Sequence, residues 1–115
     1  MCLHNVVDGK IYAMGGEGTG RRADEYDPVT GTWTRKADMP SSRTDLSGSV
    51  VDGKIYVIGG DVGNAIVATV EVYDPVTDTW TTAPDMSTAR VALRASVVDG
   101  KIYAIGGLKI GRAHV

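Results

Sequence analysis

Short apolar runs, punctuated by Asp-Gly, Gly-Gly and Asp-Pro pairs, make up most of this chain, and the same runs return. The string VVDGKIYAMGG at residues 6–16 comes back as VVDGKIYVIGG at 50–60 and as VVDGKIYAIGG at 97–107. YDPVTGTW at 26–33 comes back as YDPVTDTW at 73–80, a spacing of 47 that Met39 with Met86 and Arg43 with Arg90 also keep. Self-similarity at a fixed period is the mark of stacked equivalent units. The first opening string stands only 44 residues before the second, because the stretch between Gly16 and Tyr26 is three residues shorter than that between Gly60 and Tyr73. Length variation confined to one segment marks it as a surface loop.

Each unit is predicted to hold four antiparallel strands, A to D in chain order. Strand A is the short run ending in Val50-Val51 or Val97-Val98. The Asp-Gly pair that follows, at 8–9, 52–53 and 99–100, signals a type I′ hairpin, in which both central residues need positive φ. Strand B, IYVIGG in the second unit, is apolar without alternation, which predicts cover on both faces. Gly15-Gly16, Gly59-Gly60 and Gly106-Gly107 close it, allowing backbone angles and approaches that a Cβ forbids. Strand C, ATVEVY, alternates β-branched residues from Thr69 into Tyr73. Pro75 presets a tight turn, and Asp78, where the first copy has Gly31, suits a left-handed position. Strand D starts at Thr79 and runs out at Ala83-Pro84.

All seven aromatic residues stand at repeated positions: Tyr12, Tyr56 and Tyr103 in strand B, Tyr26 and Tyr73 in strand C, Trp33 and Trp80 in strand D. Rings so placed are expected to be buried between stacked sheets, each contributing a few kcal/mol by area, with none left over as a ligand platform.

A hairpin turn, an apolar strand ending in Gly-Gly, a Tyr before an Asp-Pro turn and then a Trp resembles the kelch repeat, whose period is about 50 residues. The resemblance covers almost the whole chain. It implies an all-β propeller of four-stranded antiparallel blades, with strand A lining a central channel and strand D outermost. The small residues Ser47, Gly48 and Ser49, and likewise Ala95 and Ser96, agree with a crowded inner strand. Cys2 aligns with Leu46 and Leu93, so the chain opens inside a strand A, and it stops before a third strand-C Tyr. The expectation is a single incomplete kelch propeller domain over residues 1–115, holding about two and a half blades as ABCD, ABCD, AB. Closed propellers carry roughly four to eight blades. The third strand B is therefore predicted to be an unpaired edge open to self-association, and the chain to be a fragment of a longer propeller, oligomeric or poorly stable when isolated.

Composition narrows the partners. With 43% hydrophobic and 23% charged residues the chain is globular. Twelve Lys and Arg against fourteen Asp and Glu give a formal charge of −2, and the basic residues are scattered, so nucleic acid and anionic membranes are not expected partners. No apolar run approaches the ~20 residues of a membrane span, and the opening MCLHNVVDGK lacks the form of a secretory signal. As written the chain reads as cytoplasmic, with its compartment otherwise open. The single Cys2 excludes an internal disulfide, and His4 and His114 are the only imidazoles, so no metal cluster and no cofactor are expected.

Strand direction alternates, which puts the A–B and C–D turns on one face and the B–C and D–A loops on the other. Variation collects on the second face, at 17–24, 61–68, 41–45 and 87–91. Loops on a rigid scaffold are the usual seat of function. The kelch resemblance implies partner recognition on that loop face, near the channel mouth. The candidate binding residues there are Arg43, Asp45, Arg90, Arg94, Arg21, Arg22 and Asn64. Arg43 and Arg90 repeat just before the inner strand. A guanidinium at that point either grips a partner's carboxylate or phosphate bidentately, or bonds loop carbonyls or an acid of the neighbouring blade; its repetition favours the second role. Arg94 and Asp45 do not repeat, and Arg21, Arg22 and Asn64 lie in B–C loops of unequal length, where partner contact and solvated loop charge compete.

Catalytic patterns are thin. Cys2 aligns with leucines, as a small apolar substitute would, and a pairing with His4 lacks a third orienting group. Glu17-Gly18-Thr19-Gly20 is followed by no helix and no P-loop Lys. Asp24 and Glu25, adjacent in a strand, point to opposite faces. The expected function is a non-catalytic protein-binding module with a protein partner. The rival is a fragment of a kelch-type enzyme, sialic acid mutarotase-like, with its acid and base residues outside this chain. A copper-radical oxidase relationship fails for want of the His set and a crosslinked Tyr and Cys, and glycan binding for want of spare aromatics.

Overall fold

A computed structural model of the protein describes residues 3–15, 21–43, 46–61, 67–86 and 94–105, and every regular element among them is a β-strand. The first blade is β1 (Leu3–Val7), β2 (Lys10–Met14), β3 (Ala23–Asp27) and β4 (Thr32–Arg35), paired in that order. The second is β5 (Ser47–Val51), β6 (Lys54–Ile58), β7 (Val70–Asp74) and β8 (Thr79–Ala83), paired likewise. In the third unit β9 (Arg94–Val98) pairs with β10 (Lys101–Ile105) as a two-stranded hairpin. All neighbouring strands are antiparallel. Strands β1, β5 and β9, the A strands, lie side by side in turn, as inner strands around an axis do. Among the described residues no helix is long and apolar enough to cross a membrane.

The turns follow from local chemistry. Asp8, Asp52 and Asp99 have φ of 50°, 51° and 52°, each followed by a Gly near 75°, so all three A–B turns carry the two positive angles that Asp-Gly tolerates. At the C–D turns Gly31 and Asp78 have φ of 71° and 55°, and their N–H groups donate to the Asp27 and Asp74 carbonyls. The Asp27 and Asp74 carboxylates then accept from the Val29 and Val76 N–H groups at 2.9 and 3.0 Å, so the Asp before the proline pins the turn by its own side chain.

Strand β6 is covered on both faces, as its unbroken apolar run predicts, and the two faces serve different junctions. Ile55 and Val57 join Tyr12, Met14, Ala23, Met39 and Tyr73 between blades 1 and 2. Ile58 joins Val70 on the far side, against Tyr56, Met86 and Ile102. Gly15 sits where no side chain fits: its φ is +69°, and a Cβ would lie 3.0 Å from the Arg43 carbonyl and 3.1 Å from Leu46 Cδ2.

The aromatic rings depart from expectation. They repeat in sequence but not in burial: Tyr12 and Tyr73 are buried and Trp80 half-buried, whereas Trp33 is 60% and Tyr103 49% exposed. A ring in this fold is covered by a neighbouring blade, not by its own. Trp33 stacks on Tyr26, centroids 4.9 Å apart, on the outward face of blade 1, and Tyr103 lies with Ile105 on the outward face of the hairpin.

Candidate functional site

The loop side of the junction between the two blades is organised by Arg43. Its side chain is fully buried, with Nη1 donating to the carbonyls of Gly59 at 2.7 Å and Thr69 at 3.0 Å, and Nε to Ser41 Oγ at 3.2 Å. Nη2 lies 3.1 Å from Glu71 Oε1, an ion pair by distance without the alignment of a hydrogen bond. Ser41 Oγ bonds both Glu71 oxygens, at 3.3 and 3.1 Å, closing a Ser–Glu–Arg set that spans the blades. Burial pulls the Arg43 pKa down while the Glu71 charge opposes it. Of the two roles the sequence leaves for Arg43, these partners are those of the neighbouring blade, and no part of the guanidinium is presented to solvent.

Strand geometry explains why Glu71 is the acid that meets it. Glu71 and Tyr73 are two apart on β7 and share the face toward blade 1, whereas Val70 and Val72 face the other way. A carboxylate within a β-branched strand is the sequence sign that a buried cation stands opposite, and that sign was missed. The sequence marks Asp78 for its backbone only, yet its Oδ1 accepts from the Ala37 N–H at 2.9 Å and the Tyr73 hydroxyl at 2.7 Å. Trp80 Nε1 donates to the Ala37 carbonyl at 2.9 Å, so one residue of the D–A segment is held by blade 2 through both its N–H and its carbonyl. Ala37 and Met39 of this segment lie against blade 2, and Met39 is fully buried in the junction.

The Ala37 N–H, and then the Tyr73 hydroxyl, hold the Asp78 carboxyl below its ordinary value. A depressed folded pKa contributes stability that is complete above the ordinary aspartate value, about 4, and is lost as pH falls through the lower folded one. The stability gap between wild type and Asp78→Asn is therefore expected to be constant at neutral pH and to narrow under acid. Urea midpoints measured from pH 7 down to pH 3 check this; a gap that widens on acidification contradicts it. Tyr12 and Tyr73 shift the other way: burial, then the Glu25 and Asp78 carboxylates respectively, push both phenols above their usual range.

On the outer part of the loop face stand Arg21 and Arg22. The Gly15 N–H donates to the Arg22 carbonyl at 2.9 Å, closing the first B–C loop. Arg21 is clamped twice to the D–A segment: its carbonyl accepts the Met39 N–H at 2.7 Å and its Nε donates to the Met39 carbonyl at 2.8 Å. Arg22 pairs with Asp24 at 2.9 Å. Both arginines are exposed. Arg94 opens β9 opposite Ile105, and its side chain is outside the described set, as are Asp45, Asn64, Arg90, Gly16, Gly106 and Gly107. Among the described residues no group of His, Cys, Asp and Glu is placed to hold a metal ion.

The kelch-motif family model matches residues 1–40 and 42–87. A search of curated proteins gave no match. Among solved structures, that of YjhT superposes with a TM-score of 0.85 over 94% of this chain, at 23% sequence identity. The chain spans 34% of the YjhT chain, so the likeness is one of fold over about a third of that protein.

Proposed function

The chain belongs to the kelch-motif family, and from that premise we propose that it is a non-catalytic recognition module whose B–C and D–A loop face binds a partner protein. One observation carries the reading: Arg21 stands exposed on that face while its backbone and its Nε are both fixed to Met39. A guanidinium already held loses less freedom on binding than a free one, and its forked end suits a carboxylate of the partner. Arg22 beside it adds positive charge that Asp24 offsets in part. The inward Arg43 has a different task, keeping the two blades at a fixed angle so that the loops do not splay. The partner surface is expected to present Asp or Glu to this rim.

The test sets the two faces against each other. Arg21→Glu with Arg22→Glu changes exposed groups of the loop face, and Val29→Ser with Val76→Ser changes residues 93% and 91% exposed on the turn face. Both double variants should keep the wild-type circular dichroism. Partner binding should fall about tenfold or more in the first, a cost of about 1.4 kcal/mol, and hold within about twofold in the second. Equal losses, or loss only in the turn-face variant, reject the loop face.

A further inference from the structure

Blades 1 and 2 share one pattern, and what only one of them carries is not required by the stack. Arg21, Arg22, Arg35 and Lys36 of blade 1 fall where the second unit has Ala68, Thr69, Thr82 and Ala83, whereas Asp24, Asp27 and Asp38 keep an acid at Glu71, Asp74 and Asp85. The cations are therefore free for another task. Thr69 and Thr82 are exposed although they stand on the face of blade 2 that lies against blade 1, so these positions reach solvent even on a covered face. Arg22 is offset by Asp24 and Arg35 by Asp38, while Arg21 has a carbonyl as its partner, so this rim keeps positive charge.

The rim lies on an open strand edge. β4 ends the sheet order of blade 1, and all four of its residues are exposed. The Lys36 N–H donates to the Ala23 carbonyl at 2.9 Å, one position beyond the Asp24–Arg35 pair, which makes Ala23 with Lys36, Glu25 with Thr34 and Asp27 with Thr32 the hydrogen-bonded pairs. The N–H and C=O groups of Trp33 and Arg35 point the other way, out of the edge. Arg35 is thus the one residue of β4 that offers outward main-chain groups together with a cation. Its bond to Asp38, 3.0 Å between side chains 57% and 39% exposed, is worth little and is readily exchanged for another carboxylate.

We propose that the β4 edge of blade 1 docks an extended, acidic segment of a partner protein, which pairs its main chain with Trp33 and Arg35 and sets a Glu or Asp beside the Arg35 side chain. Main-chain bonds hold the segment and the cation selects it, the division of labour in strand addition. A second copy of this chain would bring an equally basic rim, and like charges across strands oppose pairing, so charge favours an acidic strand over self-association. Blade 2 has the same edge in β8 but Thr82 at the decisive position, so it lacks the selecting charge. The site uses the outer edge rather than the loop face and stands without that reading.

The probe is a synthetic peptide of about seven residues, an ordinary strand length, alternating threonine with glutamate and capped at both ends; its control has lysine for glutamate. Both are titrated into the full chain while amide exchange with solvent is followed by NMR. Expected are saturable binding of the glutamate peptide, at least about tenfold slower exchange at the Trp33 and Arg35 N–H groups, and changes within about twofold at Thr34, already bonded to β3, and at Thr82, on the uncharged edge. The lysine peptide should bind at least about tenfold more weakly, and Arg35→Glu should narrow that difference to about threefold or less. Arg35→Thr, which installs the residue of blade 2, should weaken the glutamate peptide about threefold with unchanged circular dichroism. No saturation by about 5 mM peptide, equal protection at Thr34, equal affinity for the two peptides, or protection without peptide that rises with chain concentration overturns the proposal.

Discussion

Arg43→Met is expected to destabilise the chain by about 3–5 kcal/mol, the usual cost of removing one partner of a buried ion pair. Methionine keeps most of the volume, so the loss isolates the polar set. Glu71 is left as a buried carboxylate held by Ser41 alone, and the carbonyls of Gly59 and Thr69 lose the Nη1 donor that ties blade 1 to blade 2. Each orphaned buried acceptor adds about 1–3 kcal/mol, although Thr69 keeps the Gly59 N–H at 3.1 Å. Adding Glu71→Leu to Arg43→Met removes the stranded charge, so the double variant should be more stable than the two single losses summed, by about 1–3 kcal/mol of coupling. Urea unfolding of the four proteins in the cycle measures it. A loss under about 1 kcal/mol for Arg43→Met, comparable to an exposed pair, would show the guanidinium to be solvated after all.

Why the Arg43 partners were only half legible in the sequence follows from the range of the forces. Asp8, Asp52, Asp78 and Asp99 announce their left-handed angles because a turn depends on a few neighbouring residues, and the structure has all four at φ near 50°. The second strand B announces its double cover because six apolar residues in a row have no polar face to give to water, whereas the third, with no described neighbour on its far side, leaves Tyr103 and Ile105 exposed. The four-stranded blades follow from these plus the period. Stacking is another matter: that Arg43 reaches Glu71, 28 positions on, depends on which face of β7 meets which loop of blade 1. Likewise only Gly31 against Asp78 separates YDPVTGTW from YDPVTDTW, yet Trp80 donates to Ala37 and Trp33 stands mostly in solvent. The Arg21 clamp on Met39 was equally hidden, since it joins two loops whose adjacency is a tertiary fact.

That asymmetry between near-identical motifs is where the stacking order is most exposed to refutation, and it sets the second large effect. Tyr73 is fully buried, its ring 6.0 Å from Tyr12 and 5.1 Å from Trp80, with its hydroxyl on Asp78. Tyr73→Ala should cost about 3–5 kcal/mol, because the pocket between two sheets cannot collapse onto the missing ring. Tyr26→Ala, at the same place in the repeat, removes a half-buried ring whose one aromatic contact is the exposed Trp33, and should cost about 1 kcal/mol. Tyr73→Phe divides the first number: it keeps the packing and drops one hydrogen bond, so about 1 kcal/mol of the total belongs to the hydroxyl and the rest to the ring. Thermal or urea unfolding of the three variants decides the matter. Equal losses at 26 and 73 would mean that the second blade does not lie on the first through this face, because only a covering neighbour makes one copy of the motif matter more than the other.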